Sequence, residues 1–228
     1  MIAAIVHSDT FLTLLGAGPT QVAFINQLPR DGMIRVAADG GAVGWMKAGI
    51  VPDVVIGDMD SLDPIILAQI PKDRLHHIPE QDSTDFEKCL RRIEAPLILA
   101  AGFMGGRLDH ELAACTALVR YPDQRCILIG DEDICFLAPN AFEIDLPVGT
   151  RFSLFPMGPV RGTSQGLKYS IDGLTLAPNG RVGTSNEVDG PVSLTFETRE
   201  MLIILPRELL RNVACRLAPD LGGPEIPL

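Results

Sequence analysis

Up to about residue 138, short β-branched runs alternate with stretches of helix length. Apolar runs fall at 33–38, 54–56, 96–101 and 126–129, and each closes on a Gly or an Asp. This rhythm predicts a parallel sheet covered by helices. In open sheets of that kind, ligands bind in the loops that follow the strands. Residues 84–93 place Phe86, Cys89, Leu90 and Ile93 at helical spacing, and Thr84 with Glu87 has the form of a capping box, so a helix should begin near Thr84. Beyond residue 140 the texture changes. Short alternating runs at 142–146, 151–155, 192–196 and 201–205 are separated by Pro, Gly and Asn, which predicts antiparallel β structure folded as a small sandwich. The dense Gly and Pro between 156 and 190 read as turns, because hydrophobic residues recur among them. The expected fold is therefore an α/β domain with a mainly parallel sheet over residues 1–138, then an all-β sandwich domain over 139–228. The tail 218–228, rich in Pro and Gly, is expected to be loosely held.

Composition narrows the function classes. With 46% hydrophobic and 21% charged residues among 228, the chain can bury a real core. Nineteen basic against 29 acidic side chains give a net charge of −10, which leaves no broad electrostatic footprint for nucleic acid or an anionic membrane. The charge-free stretch 95–106 ends in glycines and falls short of the roughly 20 residues that cross a bilayer. The N-terminus lacks a basic region, and Asp9 interrupts its apolar run, unlike a secretory leader. Five cysteines form an odd set without C-x-x-C, so reduced thiols and a cytoplasmic location are expected.

Four segments repeat one arrangement, an apolar run followed by a tight turn and a helix start. They are Ala38-Asp39-Gly40-Gly41, Ile56-Gly57-Asp58-Met59-Asp60-Ser61, Gln81-Asp82-Ser83-Thr84-Asp85, and the loop holding Gly105-Gly106-Arg107-Leu108-Asp109-His110. On one sheet edge these loops would face one another. Singly, each acid has an ordinary use: Asp82 or Thr84 can cap one helix, Asp109 the next, and Asp63-Pro64 can open a turn. Together they suggest more. Asp58 and Asp60 flank one Met, can point to the same side, and would repel each other unless a cation sat between them. Mg²⁺ takes one or two carboxylates along with phosphate oxygens, so an acidic pocket can still hold a triphosphate.

Glycines let backbone N–H groups approach phosphate, and helix N-termini add partial positive charge. Neither G-x-x-x-x-G-K-[ST] nor a G-x-G-x-x-G after the first strand is present. Gly16-Ala17-Gly18-Pro19 reads as a turn, since Pro19 lacks the N–H a phosphate would use. Arg107 is suited to a phosphate oxygen, or equally to a salt bridge with a nearby Asp. Trp45 reads as core, His76-His77 as surface residues near a strand start, and His110 either as a helper of Asp109 or as part of a helix start. Ser61 and Ser185 have no signature of a nucleophile with its base.

In order and spacing, these motifs resemble the thiamine pyrophosphokinase family, strongly over residues 35–120 and more thinly through Gly166-Leu167-Lys168-Tyr169 and Gly183-Thr184-Ser185-Asn186-Glu187. The resemblance implies an α/β domain, a β-sandwich and a homodimer with active sites between subunits. It implies transfer of the β,γ-pyrophosphoryl group of ATP to the hydroxyl of thiamine, with Mg²⁺, giving thiamine diphosphate and AMP. By motif position, Asp58, Asp60 and Asp85 would hold metal with Asp39 in support. The turns at Gly40, Gly41, Gly105 and Gly106 would face nucleotide. Gln81, Thr84, Lys88, Arg107 and Asp109 would contact phosphates or the reacting end of thiamine. Ser185 and Asn186 would touch thiamine. Either Asp85 or Asp109 would direct the hydroxyl hydrogen. Some family members place a Trp after the Ser-Asn pair, whereas here no aromatic follows until Phe196. The alternatives are a pyrophosphokinase for another hydroxymethyl heterocycle such as a pterin, a metal-dependent phosphohydrolase, or a silent nucleotide- or thiamine-binding sensor.

Overall fold

The computed structural model describes residues 3–19, 25, 28 and 33–221. The expectation for the tail therefore lies mostly outside the described residues. Six strands form the parallel part of the sheet: β2 (Leu12–Leu15), β3 (Arg35–Ala38), β4 (Val54–Gly57), β5 (Leu75–His77), β7 (Ile98–Ala101) and β8 (Cys126–Ile129), in the order β5-β4-β3-β2-β7-β8. A two-residue strand β1 (Val6–His7) pairs separately with β6 (Ile93–Glu94). Strands β2, β7 and β8 are buried on both faces, in keeping with the wholly apolar sequences of β7 and β8 and with β2, apolar but for the buried Thr13. Successive residues feed two cores. Leu15, Val55, Leu99 and Ile127 face one side with Trp45, and Leu14, Ile56, Ala100 and Leu128 face the other with Phe86, Leu90 and Leu118.

Helices cover both faces. Helix α1 (Gly41–Lys47) carries Trp45, fully buried, whose Nε1 donates to Val36 O at 3.1 Å, in line with its reading as core. Asp63 caps the short α2 (Pro64–Leu67) by accepting from Ile65 N at 2.7 Å. Helix α3 (Asp85–Leu90) has both halves of the capping box between Thr84 and Glu87. It stops three residues before Ile93, which is instead in β6. Helix α4 (Leu108–Arg120) begins on Arg107 rather than Asp109, which lies in its first turn. Arg120 at its far end pairs with Glu87, tying α4 to the start of α3. The two histidines lie within β5 rather than ahead of a strand, and His77 is exposed.

The parallel run ends where β9 (Asp133–Leu137) returns antiparallel to β8. From there the sheet continues without a break into the C-terminal part, through β15 (Met201–Pro206), β11 (Arg151–Pro156) and β14 (Gly183–Phe196). The 14-residue β14 serves two neighbourhoods. Its first residues pair with β11, and residues 192–196 pair with β10 (Ala141–Ile144) and β12 (Val160–Leu167). Phe136 of β9 and Phe142 of β10 stack with centroids 5.5 Å apart, so strands from the two groups share one core. A short β13 (Thr175–Leu176) borders β12, and α5 (Leu210–Leu217) buries Leu210, Val213, Ala214 and Leu217. The whole is a large mixed sheet with helices, leading into a β-rich C-terminal part. All five cysteines are free thiols.

Candidate active site

Strands β4, β3, β2 and β7 are neighbours and parallel, so the turns at their carboxyl ends converge. A cleft of about 540 Å³ opens there. It is lined by Asp39, Gly40, Asp58, Asp60, Gln81, Thr84, Asp85, Lys88, Gly106 and Arg107 from the predicted set. Two glycines make the crowding possible. A Cβ on Gly41 would lie 1.9 Å from Leu15 O, and one on Gly57 would lie 2.6 Å from Asp39 Cβ. Asp39 and Met59 adopt positive φ, 42° and 65°, a conformation that costs energy for non-glycine residues and turns the acids of both loops inward.

Oxygens of Asp39, Asp58 and Asp60 lie within 4.8 Å of one another. Asp39 is 1% exposed. Its Oδ2 accepts from Ser61 N at 3.3 Å, while Oδ1 is buried without a hydrogen-bond partner among the described residues. A buried carboxylate oxygen left unpaired is costly. Three hard oxygen donors with one unsatisfied lone-pair site fit a divalent cation. The geometry thus groups Asp39 closely with Asp58 and Asp60.

Asp85 lines the same cleft and shares with Asp58 the ammonium of Lys88, one turn along α3. The Lys88 side chain is 2% exposed, and its Nζ donates to Asp58 Oδ2 and to Asp85 Oδ1, each at 2.9 Å. Gln81 Nε2 adds a bond to Asp58 Oδ2 at 3.0 Å. The Lys88 hydrogen bond holds the Asp58 carboxyl down at about 2. Burial pushes Asp85 the other way, above the ordinary carboxylate range, against the pull of Lys88. Burial disfavours the Lys88 ammonium, but its two carboxylate partners more than offset this and raise its pKa. The site thus keeps two acids of unlike proton affinity on one lysine.

Other predicted residues lie at the margin or away. Arg107 is 72% exposed and pairs with Asp109 through Nη2–Oδ2 at 2.6 Å and Nε–Oδ1 at 3.1 Å. The salt bridge holds Asp109 below its ordinary value, and Asp109 does not line the cleft. Gly105 takes φ of 76° and donates its N–H to Glu111 Oε2, and Gly41 is packed beneath the cleft. Ser185 and Asn186, in β14, do not line it. Asn186 is buried, accepts from Tyr169 N at 3.0 Å and donates to Tyr169 O at 2.7 Å. Its amide thus clamps the backbone beneath an aromatic ring, Tyr169, that is 62% exposed. Sequence reasoning missed Gly16, Ala17 and Gly18, which line the cleft, and Phe86 and Phe103, which stack at 4.4 Å in its wall. The signal for the first group was a Gly-Ala-Gly directly after the apolar run at 11–15.

A second hollow of about 770 Å³, between β10, β14 and α5, holds none of these acids. No helix among the described residues is long and apolar enough to cross a membrane.

Fold and cleft define an α/β protein with a carboxylate pocket suited to a divalent cation at the carboxyl edge of its sheet. The family model "Thiamin pyrophosphokinase, catalytic domain" matches residues 25–129, and "Thiamin pyrophosphokinase, vitamin B1 binding domain" matches 141–203. Thiamine pyrophosphokinase 1 of Oryza sativa subsp. japonica is 30% identical over 190 residues, covering 68% of this chain and 72% of that protein. Thiamine pyrophosphokinase 1 of Arabidopsis thaliana is 28% identical over 229 residues, covering 80% and 86%. The crystal structure of thiamin pyrophosphokinase from Geobacillus thermodenitrificans superposes with a TM-score of 0.71, covering 86% and 97% of the two chains at 23% identity, which bears on the fold. The chain belongs to the thiamine pyrophosphokinase family.

Proposed function

We infer that this chain is a thiamine diphosphokinase that transfers the β,γ-pyrophosphoryl group of ATP to the hydroxyl of thiamine, giving thiamine diphosphate and AMP. The observation that carries the reading is the cleft in which Asp39, Asp58 and Asp60 converge beside Lys88 and Asp85. Asp39, Asp58 and Asp60 would hold Mg²⁺, which when bound supplies charge neutralisation to the polyphosphate. Lys88 fixes Asp58 in its ionised form and carries positive charge to the cleft floor. Backbone N–H groups near Gly40 and Gly106, and the Arg107 guanidinium at the rim, are suited to phosphate oxygens.

Asp85 is the better of the two candidates for directing the hydroxyl hydrogen of thiamine. It lines the cleft and its proton affinity is raised, whereas Asp109 is exposed and committed to Arg107. Positioning and charge supply most of the catalysis in such transfers, which suits a site without a covalent nucleophile. The division at residue 138 into a nucleotide-binding part and a β-sandwich is consistent with the two matched segments. Ser185 and Asn186 lie outside the cleft of their own chain, which suits a homodimer in which a second copy brings the thiamine contacts. A cytoplasmic location accords with the five free thiols.

The test is direct. The purified protein with ATP, Mg²⁺ and thiamine should yield thiamine diphosphate and AMP in equal amounts by mass analysis. Formation of ADP, or AMP release that does not require thiamine, would refute the reading.

A further inference from the structure

One carboxylate outside the cleft shapes a loop that lines it. The chain leaves β5 at His77 and enters α3 at Asp85, and Gln81, Ser83 and Thr84 of this crossing line the cleft, whereas Glu80 does not. Among the described residues, 79–83 form no backbone–backbone hydrogen bond, so the turn is not held by its own main chain. Glu80 supplies the missing partners. Its Oε2 accepts from Asp82 N at 3.0 Å and from Ser83 N at 3.1 Å, and its Oε1 accepts from the Ser83 hydroxyl. Arg91, just past the end of α3, brings Nη1 to 3.7 Å from Oε1. We propose that Glu80 is a positioning residue for the transfer reaction, fixing the turn that sets the Gln81 amide on Asp58.

Gln81 Nε2 donates to Asp58 Oδ2 at 3.0 Å, the oxygen that also takes Lys88 Nζ at 2.9 Å. Two donors on one oxygen fix the rotation of the carboxylate, while Oδ1 accepts Asp60 N at a longer 3.4 Å. A ligand oriented in advance by such partners loses less freedom when a cation binds. Gln81 is exposed, so packing does little to keep its amide in place and the fixed turn must do so. The Ser83 hydroxyl, followed by the two backbone N–H groups, holds the Glu80 carboxyl below its ordinary range, so these bonds are made to an anion. Glu80 takes this role only if Asp39, Asp58 and Asp60 hold the cation inferred above.

Calorimetry of Mg²⁺ binding to the full-length protein, with α,β-methylene ATP present, separates this effect from turnover. Glu80→Ala and Gln81→Ala should each weaken Mg²⁺ binding by about tenfold. The double variant should be no weaker than either single one, because Glu80 acts through Gln81. Glu80→Gln, whose amide oxygen still accepts both backbone N–H groups, should recover most of the loss. Glu80→Asp, one methylene shorter, should show the loss and decides the matter if the alanine variant folds poorly. Wild-type affinity in both Glu80→Ala and Glu80→Asp, or losses that multiply to about a hundredfold in the double variant, would overturn the proposal. Wild-type protein that binds no Mg²⁺ in this assay would refute the cation site itself, and the role of Glu80 with it.

Discussion

Lys88 Nζ lies 2.9 Å from Asp58 Oδ2, although the two residues are 30 positions apart and the lysine side chain is almost wholly buried. A buried ammonium has to be paired, and this one is paired twice. Lys88→Met should therefore damage both fold and function. It leaves Asp58 and Asp85 facing each other without their shared cation, at a cost on the order of 3 kcal/mol. Turnover should fall by roughly 10²–10³-fold. Thermal melts and product formation check the two effects separately.

The unpaired Asp39 oxygen makes a different prediction. Asp39→Asn keeps the shape of the side chain but removes charge at a buried acceptor that lacks a donor among the described residues. Mg²⁺ affinity, measured by calorimetry in the presence of a non-hydrolysable ATP analogue, should drop by about tenfold or more. Thermal stability of the metal-free protein should hold or rise, because an uncompensated charge has been removed.

Asp58→Asn and Asp60→Asn should each abolish thiamine diphosphate formation while circular dichroism remains that of the wild type. Near-normal turnover of both at saturating Mg²⁺ would remove the case for a metal at these carboxylates.

Acid should weaken the metal-free protein in a defined window. The folded-state pKa of Asp58 lies at about 2, below its ordinary 3.8. A depressed carboxyl contributes stability that is fully present above its unfolded value and is lost as pH falls toward the folded one. The Asp58 contribution should therefore disappear between about pH 4 and pH 2. Chemical denaturation at a series of pH values, compared between wild type and Asp58→Asn, isolates it: the variant should show a shallower acid slope.

Asn186 spends its amide on both backbone groups of Tyr169. Asn186→Ala should cost about 0.5–1.5 kcal/mol for each of the two hydrogen bonds it removes. If the Tyr169 region meets thiamine, the variant should also raise the KM for thiamine while leaving that for ATP unchanged.

Much of this could be read from the sequence because local and global signals agreed. Thr84 and Glu87 formed their capping box, and the runs ending at Ala38, Ile56 and Ala101 became parallel strands whose turns converge. Three features were not legible. Strand β2, within the parallel part of the sheet, was not singled out, because its three leucines, interrupted by Thr13, lead into a Gly-Ala-Gly that looked like a mere turn. The close approach of Asp39 to Asp58 and Asp60 was expected only as support for a set of Asp58, Asp60 and Asp85, since spacing along a chain cannot tell how near two loops come or that Lys88 folds back between Asp58 and Asp85. Helix α3 ended early because Ile93, although at helical spacing, finds a strand partner in Val6. Tertiary pairing overrides periodicity at such ends.

Strand β9 belongs by sequence to the first half of the chain, yet its free edge is taken by β15 from the far end. Cutting the polypeptide near residue 138 would therefore not release two self-sufficient modules. It would bare a raw, apolar strand border on each fragment, the kind of surface that recruits other chains into aggregates. The molecule should melt in one step, because the pairing of β9 with β15 ties both ends of the chain into one sheet.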